Sequence, residues 1–174
     1  MTMSAERLYH ATAPRSGLHA ALEVLRAEDG GATAVRVALR AASGGPAVVL
    51  KANEEMSAFI ALTVTDARGT VLSRPARRFS SEEEQTFRVE RIAPGESRRW
   101  RVPLTGQLDA GAVPPAGMRG RLVVNVTLLV GSGPGADVSA TGGFETEIVT
   151  LYDMDVLFTR AALAGHDESH PPAG

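Results

Sequence analysis

Eight arginines gather at Arg74, Arg77, Arg78, Arg88, Arg91, Arg98, Arg99 and Arg101. A guanidinium presents a planar fork of donors that matches a carboxylate or a phosphate, so such a gathering is chemistry for holding an anion. In an extended chain Arg99 and Arg101 have the opposite parity to Trp100 and Val102, which puts the arginines outward and the apolar pair inward. The residues expected to meet a partner are therefore Arg98, Arg99 and Arg101, with Arg77 and Arg78 on the preceding segment. Glu82, Glu83, Glu84 and Glu90 partly balance them, and an ordinary solvated face would use the same residue types.

Other candidate chemistry is thinner. His166 and His170 are four apart, the spacing of a helical metal pair, but Gly165, Pro171 and Pro172 oppose a helix there. His10 and His19 lie in or near the opening segment, and neither H-E-x-x-H nor G-x-S-x-G occurs. Asp153 and Asp155 flank Met154, and in an extended strand both carboxylates would face one side, as oxygen ligands of a hard cation must. Two carboxylates are too few alone, and with Glu145 and Glu147 they read better as a solvated acidic edge that discourages strand pairing. The run from Gly131 to Gly135 lacks the lysine and helix of a phosphate loop, and Asn125-Val126-Thr127 sits within a strand. No catalytic, cofactor-binding or metal-ligating residue is expected, and the chain is not read as an enzyme.

Composition narrows the classes further. With 174 residues and 44% hydrophobic content the chain suits one globular domain with a real core. A net charge of −2 gives no general attraction to nucleic acid or to anionic lipid. Cysteine is absent, which removes disulfides and thiolate metal sites and suits a reducing compartment. The opening residues show no apolar export core, and no stretch approaches the roughly 20 apolar residues that cross a bilayer, so a cytoplasmic protein is expected. Lys51 is the single lysine, and the excess of Arg, Ala and Gly is that of a GC-rich bacterial genome.

These side chains need strands to hold them. Val35, Val37, Leu39 and Ala41 share one parity and Arg36 and Arg40 the other, as a half-buried strand requires. Phe59 to Thr65 alternates Ile60, Leu62 and Val64 against Phe59, Ala61 and Thr63, and Asp66-Ala67-Arg68-Gly69 then turns it toward Val71-Leu72. Ser80 to Glu84 carries the spacing of a capping box and predicts one helical turn. Phe87, Val89 and Ile92 predict a strand, Ala93-Pro94-Gly95-Glu96 a turn, and Trp100 and Val102 the strand that Pro103 ends. Leu122, Val124, Val126, Leu128 and Val130 form the strongest alternation, with Val123 and Leu129 apolar on the other side, so this strand belongs inside its sheet. Phe144 to Phe158 predicts one long bent strand or two short ones, and Leu18 to Leu25 a strand or a short helix.

About seven to nine strands with frequent turn signals and no βαβ rhythm predict an all-β fold, an antiparallel β-sandwich, with a jelly roll or open barrel as alternatives. The order Phe59 to Asp66, the turn ending at Gly69, Val71-Leu72, Ile92-Ala93-Pro94-Gly95-Glu96 and Leu122 to Leu128 resembles bacterial immunoglobulin-like domains, including those similar to the intracellular proteinase inhibitor family. The resemblance spans residues 34–130 and implies an intracellular protein-binding module, with protease inhibition as one option; no reactive-loop residue matches. The expected organisation is a flexible leader over 1–17, a sandwich over 18–160 and a disordered tail over 161–174. The expected function is a non-catalytic protein-binding or adaptor module without cofactors. The alternatives are a self-assembling structural subunit and a β-barrel enzyme or small-ligand carrier.

Overall fold

The computed structural model describes residues 8–12, 17–53, 56, 59–75, 80–84, 86–131 and 143–164. Nine strands are present among them: β1 (Leu8–Thr12), β2 (Leu18–Arg26), β3 (Ala32–Ala41), β4 (Val48–Ala52), β5 (Ile60–Asp66), β6 (Arg88–Ile92), β7 (Ser97–Pro103), β8 (Met118–Gly131) and β9 (Phe144–Phe158). Two single-turn α-helices, α1 (Ser81–Glu84) and α2 (Arg160–Leu163), and one 3-10 turn, Ala110–Ala112, accompany them. The strands form two antiparallel sheets. The first runs β1-β2-β3-β7; in the second, β8 is flanked by β9 on one side and by β5 and β4 on the other, with β6 beyond β4.

Alternation decides which side chains meet between the sheets. Leu18, Ala20, Leu22 and Val24 of β2 and Val35, Val37, Leu39 and Ala41 of β3 are all buried. They oppose Leu62 and Val64 of β5, Leu122, Val124, Val126 and Leu128 of β8, and Val149, Leu151, Val156 and Phe158 of β9. Each fully buried side chain of this size contributes about 1.5–3 kcal/mol, so the two inner faces are the main source of stability. The segment Leu18 to Leu25 is thus a strand, because its apolar residues fall at every second position.

The turns form where short polar side chains and glycine provide for them. Asp66 Oδ1 accepts from the backbone N–H of Arg68 and of Thr70, both at 2.9 Å, and Gly69 takes φ +84°. Val71 returns as an isolated bridge to Thr65, and Leu72 N–H donates to Val64 C=O. Ser80 Oγ accepts from Glu83 N–H at the start of α1. Phe59 departs from the outward place its parity suggests. It precedes β5, is buried, and packs on Phe87 with ring centroids 4.9 Å apart.

Residues at both ends of the sandwich join it. β1 lies within the segment read as a leader and pairs with β2, from Leu8 opposite Glu23 to Thr12 opposite His19. Its backbone donors and acceptors supply the ladder that β2 would otherwise lack on that side. At the other end, Thr159 caps α2, accepting from Ala162 N–H, and donates to Asp29 Oδ2 at 2.6 Å; Ala162 and Leu163 are buried. Gly31 sits beneath this contact, where a Cβ would collide with Thr159 Oγ1.

Candidate functional site

Strand pairing brings together two arginine pairs that are far apart in sequence. β3 and β7 align antiparallel with Arg36 opposite Arg101, Ala38 opposite Arg99 and Arg40 opposite Ser97. Inward-facing Val35, Val37 and Leu39 fix the parity of β3, and Trp100 and Val102, packed partly against the core, fix that of β7. Arg36, Arg40, Arg99 and Arg101 therefore share the outer face of the first sheet.

The phase of the ladder follows from its ends. Leu104 N–H donates to Thr33 C=O, and Ala41 N–H donates to Glu96 C=O. Because antiparallel pairs alternate between bonded and non-bonded types, Arg36 and Arg101 form a non-bonded pair, the type with the closer side chains, at about 4.5 Å between Cα atoms. Arg99 lies diagonal to both Arg36 and Arg40, within reach of long side chains. Arg36 donates to Glu23 Oε2 at 3.0 Å. Among the described residues the side chains of Arg40, Arg99 and Arg101 have neither an ion pair nor a hydrogen-bond partner.

The remaining predicted residues fall elsewhere. Arg98 points to the inner side of β7, where it donates to Arg91 C=O at 3.3 Å and lies 3.6 Å from Glu96. Arg77 and Arg78 lie outside the described residues. Arg88 and Arg91 belong to β6 in the second sheet, and Arg88 pairs with Glu90 at 2.9 Å. The turn Ala93 to Glu96 carries the chain from one sheet to the other, so the arginines of β6 do not extend the stripe on β7. Sequence reasoning left Arg36 and Arg40 out of the cluster. Their outward parity was visible, but the pairing of β3 with β7 is a tertiary fact.

The acidic candidates separate as well. Leu122 pairs with Asp153 and Gly120 with Val156, so β9 carries one extra residue there, a β-bulge. Asp153 turns inward, 1% exposed, and its Oδ1 accepts from Asp155 N–H at 3.0 Å; its Oδ2 is buried with no partner among the described residues. Asp155 turns outward to Arg119 at 3.0 Å. The expectation that both carboxylates share one side fails because the bulge reverses parity between them. Glu147 is also buried, so this row is not a wholly solvated acidic face. No group of three metal-ligating side chains occurs among the described residues. His19 is exposed on the outer face of β2, and His166 and His170 lie outside the described residues.

Comparison of the chain with protein-family models, with curated proteins and with solved structures found no match. Among the described residues, no helix is long and apolar enough to cross a membrane.

Proposed function

We propose that this chain is a non-catalytic, cytoplasmic protein-binding module whose contact surface is the arginine face of the first sheet. One observation carries the reading: Arg36 and Arg101 stand directly opposite each other, beside Arg40 and Arg99, and among the described residues Glu23 is the single carboxylate paired with any of the four. Like charges directly opposed in a sheet oppose folding, so an anionic partner offsets a cost that the free protein carries. With an overall charge of −2, long-range attraction to a polyanion is lacking, and a local acidic patch on another protein is the better occupant.

The pairing order supports an immunoglobulin-like sandwich for this module. β2-β3-β7 pair as strands A, B and E do in that fold, and β5-β8-β9 as C, F and G. The absence of cysteine supports an intracellular setting. The test is capture of partners from native lysate by the tagged protein and by its Arg99→Glu/Arg101→Glu variant, with quantitative mass spectrometry. A stoichiometric partner held by the parent and lost by the variant is the expected result. Equal capture by both would overturn the reading.

A second reading, a self-assembling subunit, is favoured by β9, an edge strand of the second sheet with Ile148, Tyr152 and Met154 more than half exposed. A mass by light scattering that rises with concentration, with no foreign protein captured, would select it.

A further inference from the structure

We infer that the partner joins the first sheet as an added strand along β7 and presents acidic side chains at alternate positions to Arg99 and Arg101. The inference rests on the binding-module reading and specifies how its surface is used.

β7 ends the first sheet, and no described strand pairs with its second edge. The ladder phase set by Leu104 with Thr33 and by Ala41 with Glu96 places the N–H and C=O of Trp100 and Val102 toward β3. By the same alternation the backbone groups of Ser97, Arg99 and Arg101 point away from β3, to the open edge. Two of these three residues, Arg99 and Arg101, are thus also ones whose side chains carry charge with no ion-pair partner among the described residues. An extended chain laid along this edge would satisfy those donors and acceptors, the mode in which a peptide extends a sheet.

Side-chain register then defines the occupant. Residues two apart on an added strand share one face, so those beside Arg99 and Arg101 stand over the arginine cluster, where Arg36 and Arg40 lie one strand further in. Carboxylates are the complementary groups at these two places. The residue between them faces the other way, next to partly buried Trp100 and Val102, and an apolar side chain fits there. Pro103, without an N–H, ends the ladder at the next outward position. The surface therefore fits a short extended segment, of about five to seven residues, alternating acidic with apolar.

The experiment uses the full chain and a synthetic heptapeptide alternating Val and Glu. Its controls are a peptide of the same composition with the glutamates contiguous, one with Lys in place of Glu, and one N-methylated at the peptide bonds that would face β7. Trp100, the single tryptophan, reports binding by fluorescence, and amide exchange by NMR reports the edge. The alternating peptide is expected to bind and to protect the Arg99 and Arg101 amides, leaving the already bonded Trp100 amide unchanged. The other three peptides are expected to bind at least about tenfold more weakly, as is the alternating peptide to the Arg99→Glu/Arg101→Glu variant. Equal binding of the N-methylated or contiguous peptide, or unprotected Arg99 and Arg101 amides, would overturn strand addition while leaving charge-based docking on the face intact. No binding of the alternating peptide would overturn it too, and the lysate capture then decides the binding-module reading separately.

Discussion

At the closest spacing that an antiparallel pair allows, Arg36 faces Arg101, and Arg36 already has Glu23 as its counter-charge. Substituting Arg101 by glutamate turns repulsion into attraction. Arg101→Glu is therefore expected to raise stability by about 0.5 kcal/mol in urea unfolding while weakening partner capture. A purely solvating arginine would give no such opposition between stability and binding. The outward places of Arg99 and Arg101 were legible in the sequence because Trp100 and Val102 mark the inner parity of the same strand. Asp153 was misplaced for the converse reason: parity counted along Phe144 to Phe158 assumes an unbroken strand, and nothing in Asp153-Met154-Asp155 announces an extra residue.

The second sheet shows what that extra residue requires of its neighbour strand. Gly120 lies opposite the bulge in β8, where an added Cβ would come within 2.5 Å of Thr65 C=O and 3.2 Å of the Phe158 ring. The backbones cannot separate without breaking the pairing of Asp66 with Gly120, so Gly120→Ala is expected to cost about 2 kcal/mol, read as a lower thermal midpoint. Most elements were legible for local reasons. The alternation of β3, β5 and β8, the Asp66 to Gly69 turn and the Ser80 cap each depend on a few adjacent residues. β1 was not legible, since Leu8 to Thr12 acquires its strand through pairing with β2. The division of arginines between two sheets also escaped, because a turn such as Ala93 to Glu96 reads alike whether it closes a hairpin or crosses the sandwich.

Across the whole molecule the two outer faces differ in kind. The first sheet presents four arginines, whereas β9 presents Ile148, Thr150 and Tyr152 beside Thr127, Asn125 and Val123 of β8. The binding proposed for the first face would depend on charge, and raising salt shortens the reach of exposed charges to about 3 Å at 1 M. Affinity for the captured partner is therefore expected to fall steeply between 0.05 and ~1 M salt in calorimetric titrations. Ile148→Lys, on the opposite face, should leave affinity unchanged; a loss would move the contact to the second sheet.

The hydrogen bond from Thr159 to Asp29 also bears on the order in which the molecule can be made. Asp29 leaves the ribosome 130 residues ahead of Thr159, and β9, emerging just before Thr159, brings Val149, Leu151, Val156 and Phe158 to the inner face. Until that strand arrives, one side of β8 has no ladder and much of the interior stands open to water. Synthesis must pass β9 before this sandwich can close, and the nascent chain depends on other means to keep its strand edges apart until then.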